Sequence, residues 1–369
     1  MLLFSNFQSF PKNHPFYTFH LVFNFLAAGY VYLKLRPYYS SKPFHNKYPE
    51  FKRHDSLSFF RLFLGFLTIV WPRLIMGVIL LALQAFFLNL GKPHNPATKK
   101  IKDIFYSIGM RLVLFSLGCI IPTFIRRDEK CKEVYQRYLG SDYEISYDKK
   151  YATLIGNHCS FIDAFLYAWR YQCAYIGKKT ASKIPLVRTI GIYNRTIYLD
   201  RTNEEDRHKV AEEIAERQKG ILDGSFLTSL CIYPEGTITN NQYIIKFKRG
   251  AFMTCLPVKP MVELIDHNPV FELCTGALPM HLHLIYACCF LYNKVTFLDL
   301  PVIEPTEYMF RNYNGIINGD NFGEEKWHIY MEVTRHIMSE ISGLKLSNVN
   351  FPEKLDYMSE IKGKKVKNT

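Results

Sequence analysis

The sequence predicts an α/β fold with a mixed central sheet flanked by helices, preceded by an N-terminal helical segment embedded in a membrane. Three observations support this fold class. With 369 residues and 48% hydrophobic content, the chain can form a large core. From residue 126 onward, apolar strands alternate with amphipathic helices. Upstream, the 32 residues 59–90 contain only two charged side chains, Arg61 and Arg73.

The first region, residues 1–56, is predicted to be an N-terminal arm. Its residues 19–33 are apolar but include His20 and Asn24, and 18 mostly non-basic residues precede them. This pattern is not that of a cleavable signal peptide. Residues 36–56 are basic and rich in Tyr, Lys and Pro, which is typical of a surface linker.

The second region, residues 57–125, is predicted to be a membrane-associated helical segment. Residues 69–90 could span about 30 Å of hydrocarbon as a single helix. The alternative is a hairpin that dips into one leaflet, with Trp71-Pro72-Arg73 at its tip, because proline breaks helices. Basic residues on both flanks favour the hairpin, whereas Arg73 at the tip opposes it unless that residue pairs or reaches the interface.

A shorter apolar stretch, residues 112–125, closes this second region. Its 14 residues are too few for a span. We expect it to be interfacial or re-entrant, or to be a helix packed on residues 59–90. A buried core helix is the alternative.

The third region, residues 126–344, carries the α/β pattern, and the Lys-rich tail at 345–369 is expected to be loosely held. Strands are predicted at 151–157, 173–178, 196–201, 230–236, 259–265 and 294–305. Helices are predicted at 161–171, 203–222, 247–254, 282–292 and 324–341.

Charge and cysteine usage restrict the function classes. The net charge of +13 indicates an anionic partner: nucleic acid, an acidic bilayer surface or a phosphorylated substrate. The nine cysteines are scattered and form no C-x-x-C pair, which argues against a disulfide framework and a structural zinc site. Reduced thiols facing the cytosol are the simpler interpretation.

His158 and Asp163 are a candidate catalytic pair between a predicted strand and a predicted helix. Histidine can take a proton from a hydroxyl near neutral pH, and a carboxylate can fix its tautomer. A spacing of five suits a turn that leads into a helix. By spacing alone, however, a core histidine beside an ordinary acid at a helix start remains the more common arrangement.

Three further stretches carry polar residues at strand ends or beside glycine. Glu235, Gly236 and Thr237 lie in "YPEGT", after an apolar strand, where ligands of α/β proteins bind; a plain turn is the alternative. Arg201 ends "TIYLDR" and could hold a phosphate, or pair with a neighbouring acid. Lys248 lies beside Gly250 in "FKRGAF".

In this order, these stretches resemble the conserved blocks of the glycerolipid acyltransferase family. The first block is Asn-His-x-x-x-x-Asp, and the third is Phe-Pro-Glu-Gly-Thr, here with Tyr in place of Phe. "TITNNQYIIKFKRGAF" also resembles the continuation of the third block in the lysophosphatidylcholine and lysophosphatidylethanolamine acyltransferases. The four blocks lie at residues 157–163, 197–201, 233–237 and 256–260.

Two departures from the family pattern limit what can be carried over. Gly191 precedes Arg201 by ten residues, which is a longer spacing than expected for the second block. No acidic calcium-loop pattern occurs in this sequence.

The resemblance implies that residues 126–344 form an acyltransferase domain with acyl-CoA as co-substrate and neither a cofactor nor a metal. His158 would take the proton of a lysophospholipid hydroxyl that attacks the thioester, and Asp163 would orient His158. Cys159 and Ser160 would not be nucleophiles, because G-x-S-x-G is absent. The implied substrate-binding residues are Asn157, Lys178, Arg201, Glu235, Gly236, Thr237 and Lys248.

Some of these expectations have alternatives. Lys178, with Lys179 and Lys183, could bind CoA phosphates or lipid head groups, or could form a solvated basic face. The acceptor could instead be lysophosphatidate or glycerol-3-phosphate. A different class is a non-catalytic basic membrane-binding protein.

Partners and location follow from the same patterns. The expected partners are acyl-CoA, a lysophospholipid and the bilayer. Nucleic acid is not expected, because residues 59–90 are so apolar and no nucleic-acid motif is present. Lys365 and Lys367 fit a dilysine signal, which predicts an endoplasmic-reticulum membrane protein with its catalytic domain facing the cytosol.

Overall fold

The structure is a computed structural model that describes residues 14–39, 44–90, 96–118, 120–200, 203–313 and 325–363. These residues form an α/β architecture, as the alternating pattern predicts. The strands are β1 Ile120–Ile125, β2 Thr153–Gly156, β3 Ala174–Lys178, β4 Ile197–Leu199, β5 Leu230–Ile232, β6 Tyr243–Ile244, β7 Val258–Ile265, β8 Asn293–Asp299 and β9 Lys345–Leu346.

The helices surround the larger of two sheets. They are α1 Pro15–Tyr39, α2 Phe44–Lys47, α3 Phe59–Thr68, α4 Val70–Asn89, α5 Pro96–Ser116, α6 Asp128–Leu139, α7 Asp163–Tyr171, α8 Pro185–Tyr193, α9 Glu204–Asp223, α10 Met280–Cys288, α11 Glu307–Asn312, α12 Lys326–Ser342 and α13 Phe351–Ile361.

The large sheet is mixed, as predicted, and has the strand order β1-β8-β7-β2-β5-β3-β4. Strands β7, β2, β5, β3 and β4 run parallel to one another. Strand β8 runs antiparallel to β7, and β1 runs parallel to β8. The carboxyl ends of the five parallel strands therefore lie along one edge of the sheet, here called the carboxyl edge; the opposite one is the amino edge.

Helices cover both faces of this sheet because successive strand residues point to opposite sides. On β2, Ile155 belongs to the core formed with α6, α9 and α12. Its neighbour Leu154 belongs to a second core, formed with α1, α3, α4, α5, α7 and α10. Both cores are apolar, so the sheet is packed on both faces and holds the turns at its strand ends in position.

The expectation for residues 112–125 is wrong in its second half. Helix α5 ends at Ser116. Residues Ile120–Ile125 form strand β1, which pairs with β8 and is the outermost strand on that side of the sheet. Isoleucine, threonine and phenylalanine favour strands. Pro122 is tolerated because an edge strand does not need every N–H.

The expectation of a loosely held tail is also wrong, for residues 345–363. Strand β9 pairs with β6, and α13 begins with a capping box between Asn350 and Glu353. Tyr357 is buried among aromatic side chains near the N-terminus, and its hydroxyl lies 2.6 Å from Nδ1 of His45. Lys365 and Lys367 lie outside the described residues.

The remaining predicted elements of the α/β region agree in type and position, although several bounds differ by a few residues. The exception is 247–254, where the predicted helix is only a single 3₁₀ turn, Arg249–Ala251. Phe247, Ala251 and Phe252 are buried in the core, and this burial produced the helix-like apolar pattern.

Two helices, α1 and α4, are long and apolar enough to cross a membrane by length and composition. Residues 59–90 do not form one helix, because α3 ends at Thr68 and α4 begins at Val70. Trp71-Pro72-Arg73 lies in the first turn of α4, so the break is at Ile69, just before the predicted hairpin tip, and α4 covers most of the single span predicted at 69–90. Arg73 is paired there, with carbonyl groups at the end of α10 and just after it. The membrane arrangement and the division into four regions stay predictions.

Candidate active site

His158 and Asp163 meet at the turn between β2 and α7, on the carboxyl edge. Strand β2 ends at Gly156, and Asp163 is the first residue of α7. Nδ1 of His158 lies 2.8 Å from Oδ2 of Asp163. The non-helical turn allows two side chains five positions apart to form this contact.

Asp163 is held in place by the backbone of its own turn. Its Oδ2 also accepts hydrogen bonds from the N–H groups of Cys159 at 2.8 Å and Ser160 at 2.9 Å. The carboxyl group is buried and begins a helix, where a negative charge is favoured. Cys159 and Ser160 thus contribute their backbone to the site.

One face of the His158 imidazole packs on an aromatic ring, and its Nε2 nitrogen is accessible. It stacks on Tyr233 with ring centroids 4.3 Å apart and an interplanar angle of 14°. Its side chain is 20% exposed, whereas that of Asp163 is 1% exposed. Because the carboxylate requires a proton on Nδ1, Nε2 is the nitrogen that can take a proton from a substrate.

Glu235 holds the backbone of His158. It is fully buried, and its Oε2 accepts a hydrogen bond from the His158 N–H at 2.9 Å, while Oε1 accepts one from Ile245 at 3.2 Å. Burial raises the pKa of Glu235 to about 8, against the effect of these hydrogen bonds. Glu235 therefore ties the "YPEGT" turn to the histidine turn, and this geometry does not support the predicted substrate contact.

Asn157 also points into the protein. Its Oδ1 accepts a hydrogen bond from the N–H of Glu263 at 2.7 Å, and its Nδ2 donates to the Glu263 carbonyl at 3.0 Å. These bonds join β2 to β7 beyond the last paired residues. The geometry supports a positioning role for Asn157 and not the predicted substrate contact.

Gly236 and Lys248 lie side by side at the carboxyl edge. Gly236 has φ of +65°, and a Cβ there would lie 2.8 Å from Cε of Lys248. The left-handed backbone conformation favours glycine here, whereas the flexible Lys248 side chain could move away from a Cβ. Lys248 is exposed, and Thr237 next to the glycine is buried.

Lys178 lies away from the histidine turn along the sheet. Lys178 is exposed at the end of β3, two strands from β2, which corresponds to about 10 Å. Its neighbour Lys179 pairs with Asp206 at 3.2 Å. Arg201 lies outside the described residues; the strand before it, β4, ends at the same edge.

Two cavities lie at the amino edge, away from His158. One has a volume of about 830 Å³ and includes Lys149, Pro257 and Glu304 in its wall. The other has a volume of about 70 Å³ and includes Gln172 and Ser229. Neither wall contains residues of the histidine turn, which lies at the opposite edge.

Sequence reasoning missed two buried side chains that face these turns. Glu263 lies on β7, 3.3 Å from Sγ of Cys159. Lys354 lies on α13 and donates to the carbonyl of Ile238 at 2.6 Å. The available signal for Glu263 was a charged residue within the apolar stretch at 260–265. Lys354 had no such signal, because the tail is rich in lysine.

The matches to known proteins agree with the predicted resemblance. Residues 140–262 match the acyltransferase family model, and this range contains His158, Asp163 and Glu235. A lysophospholipid acyltransferase of Arabidopsis thaliana is 24% identical over 213 residues, which cover 57% of this chain and 49% of that one. Lysophosphatidylcholine acyltransferase 1 of Homo sapiens is 27% identical over 197 residues, covering 53% and 34%. The resemblance to this branch is confirmed.

The matched segment is only part of these relatives, because it spans about half of their length or less. Among solved structures, the crystal structure of the 1-acyl-sn-glycerophosphate acyltransferase PlsC of Thermotoga maritima is similar. It has a TM-score of 0.34 and 17% identity, and the match covers 72% of this chain and 97% of that one.

Proposed function

We propose that this protein transfers an acyl group from acyl-CoA to the free hydroxyl of a lysophospholipid at a membrane surface. The observation that carries the proposal is the His158–Asp163 pair, with 2.8 Å between Nδ1 and Oδ2, at the end of a parallel strand. The similarity to acyltransferases whose names specify lysophospholipids supports the choice of acceptor.

The reaction needs one base and no covalent intermediate on the protein. The acceptor oxygen attacks the thioester carbonyl carbon while its proton passes to Nε2 of His158. The carbon–sulfur bond then breaks, and the CoA thiolate takes the proton from the imidazolium. Asp163 keeps Nδ1 protonated throughout and stabilises the imidazolium.

The state of the neighbouring residues supports this direct transfer. Cys159 is fully buried, and burial raises the pKa of its thiol well above the usual value, so it is not a thiolate nucleophile. Ser160 is also fully buried, and its Oγ accepts a hydrogen bond from the N–H of Ile162 at 3.2 Å. Both side chains are directed away from an incoming thioester.

Phosphate binding would fall to the exposed cations of the carboxyl edge. Lys178 and Lys248 are exposed there, and the chain has a net charge of +13. Arg201 would add to them, as the resemblance implies. An ammonium or guanidinium group at these places can bind a CoA phosphate or the phosphate of a lysophospholipid.

The apolar helices would keep the site at the bilayer, where both acyl chains reside. Helices α1 and α4 meet the length and composition of membrane spans. We propose an endoplasmic-reticulum membrane location with the catalytic edge facing the cytosol, where acyl-CoA is soluble.

The test is an acyl-transfer assay of purified protein in lipid nanodiscs. Labelled acyl-CoA is supplied with lysophosphatidylcholine, lysophosphatidylethanolamine, lysophosphatidate or glycerol-3-phosphate. The proposal predicts labelled diacyl phospholipid from one of the first two acceptors. A faster reaction with lysophosphatidate or glycerol-3-phosphate would favour that acceptor instead. Folded protein that transfers label to none of the four would favour a non-catalytic membrane-binding protein.

A further inference from the structure

Glu263 lies directly behind the catalytic pair. It lies near the carboxyl end of β7 and is fully buried. Ligand atoms of Glu263, Asp163 and Cys159 lie within 4.8 Å of one another. The thiol of Cys159 points to both carboxyl groups, at 3.3 Å from Oε2 of Glu263 and 3.8 Å from Oδ1 of Asp163.

The two carboxyl groups use different oxygens for different partners. Oδ2 of Asp163 faces His158 and two backbone N–H groups. Its Oδ1 faces Cys159, on the side of Glu263. Oε1 of Glu263 has no hydrogen-bond partner among the described residues. A buried carboxylate oxygen without a donor is unfavourable, whereas a protonated oxygen next to an acceptor is not.

The negative charge of Asp163 gives a second reason to assign a proton to Glu263. Burial raises the pKa of Glu263 well above its usual value, and the negative charge of Asp163 raises it further. Among the described residues, the groups with the strongest electrostatic effects on or from Glu263 are not cations, and His158 contacts the other oxygen of Asp163. The groups with these effects are Asp163, Cys159, Cys274, Tyr167 and Cys231. Two adjacent buried carboxyl groups without a cation share one proton.

Asp163 is the member of the two that keeps the negative charge. It receives hydrogen bonds from two N–H groups and from the imidazole, all of which stabilise a carboxylate. The proton therefore stays on Glu263, where it can point to Oδ1 of Asp163.

We propose that Glu263 is a positioning residue, a neutral carboxylic acid that donates a hydrogen bond to Oδ1 of Asp163 and so fixes the carboxylate that orients His158. This inference rests on the proposed acyl transfer. The proton of Glu263 stays in place during the reaction, and the residue does not contact the substrate.

Two variants separate the hydrogen bond from simple filling of space. E263Q keeps the shape and a donating N–H, whereas E263L keeps a similar volume and has no donor. We expect E263Q to retain kcat within about threefold, and E263L to lower kcat by about 10–100-fold with KM unchanged. In E263L the acidic limb of the pH profile should move to higher pH, because Asp163 then presents its full charge to His158.

A buried glutamate elsewhere provides the matched control. Glu272 accepts hydrogen bonds from His267 at 3.0 Å and from the N–H of His54 at 3.1 Å. Burial alone would raise the pKa of Glu272, but these hydrogen bonds and the charge of Arg53 outweigh it and lower the pKa. E272Q should reduce thermal stability and leave the acidic limb of the pH profile in place. A shift in E272Q equal to that in E263L would contradict the assignment to Glu263.

The protonation itself is measured without any turnover. The infrared difference spectrum of wild type minus E263Q should contain the carbonyl stretch of a protonated, buried carboxylic acid. A spectrum with only carboxylate bands overturns the inference, as does an E263Q variant as impaired as E263L. Bound metal at one ion per chain, with activity lost on chelation, would assign the cluster to a cation instead. If wild type transfers no acyl group, the proposed function fails while the spectrum still decides the state of Glu263.

Discussion

The histidine turn and the apolar helices depart from the usual arrangement of a soluble protein in opposite directions. In the turn at 157–163, polar side chains are buried, and Asn157 and Asp163 are hydrogen-bonded there. In α1 and α4 large apolar side chains are exposed, such as Phe19 and Phe86, each 68% exposed. The turn is organised in advance by the protein interior. The helices present a surface that suits hydrocarbon better than water.

A continuous set of contacts connects these two regions. Arg73 of α4 binds the chain just after α10, and His283 of α10 lies 3.1 Å from the hydroxyl of Thr275. Thr275 in turn donates its N–H to the carbonyl of Cys159 at 2.7 Å and accepts a hydrogen bond from Phe161. The apolar helices and the histidine turn therefore both contact α10 or the residues next to it.

The largest effect on kcat is expected from changing one side chain in the buried histidine turn. D163N replaces the acceptor of the His158 proton with an amide and removes the charge that stabilises the imidazolium. We expect kcat to fall by about 10²–10⁴-fold with little loss of stability. Kinetics of purified protein measure this, with D223N as the control at an exposed helix end. Equal kcat values for the two variants would contradict the role of Asp163.

The next largest effect concerns the exposed apolar surface. The double variant F19S/L26S removes two side chains that are more than 60% exposed on α1. Each would contribute about 1.5–3 kcal/mol if buried in hydrocarbon, so binding to liposomes should weaken by at least about tenfold. Co-sedimentation measures the partition. L227S, at an exposed position near the amino edge, should bind as wild type does. Similar losses in both proteins would show that α1 does not meet the membrane.

A smaller effect, on the free energy of unfolding, is expected from the Arg73 contacts that join α4 to α10. R73Q removes the guanidinium that donates to the carbonyls of Cys288, Phe290 and Leu291. We expect the free energy of unfolding to fall by about 2 kcal/mol. Chemical denaturation in detergent measures it. R61Q, which removes more exposed hydrogen bonds to Ser56 and Val270, should have less than half this effect. A larger loss of unfolding free energy in R61Q than in R73Q would contradict the importance of the contact between Arg73 and α10.

The smallest effect is a change in the pH dependence of stability. Burial lowers the pKa of Lys354 in the folded protein to about 7, whereas a lysine in the unfolded chain has a pKa of about 10.4. Between these values the unfolded chain binds more protons, so stability rises with pH in this window. K354M should abolish that rise.

Denaturation midpoints between about pH 9 and about pH 10 test this change, since the buried Glu235, with a pKa of about 8, is mostly ionised in the folded protein above about pH 9. K362M at the exposed end of α13 is the control and should keep the wild-type slope. An unchanged slope in K354M would show that Lys354 is charged in the folded protein throughout.

Much of the fold was predictable because it depends on local pattern, whereas His158 and Asp163 were singled out as a candidate catalytic pair by the resemblance of four ordered blocks to acyltransferases. The alternation of apolar strands and amphipathic helices predicted the mixed sheet. The spacing of His158 and Asp163 around a strand end predicted a turn in which they can meet. Residues 120–125 were misassigned because a short apolar run fits a buried helix as well as a strand.

The direction in which polar side chains point was not predictable. Asn157 and Glu235 have residue types that suit ligands, but each is directed inward by partners that only the folded sheet supplies. Glu263 approaches Asp163 because β7 lies beside β2, although the two strands are about a hundred residues apart in sequence. The burial of α13 depends on the contact between Tyr357 and His45, which are 312 positions apart.

The most direct test of the central claim is the rate of acyl transfer by H158A. Wild type, H158A and H208A, the last at an exposed histidine of α9, are compared in the same nanodiscs with labelled acyl-CoA and lysophospholipid. Our account predicts that H208A matches wild type and that H158A loses at least about 10²-fold in kcat while remaining folded. Transfer by H158A at the wild-type rate would show that His158 is not the base.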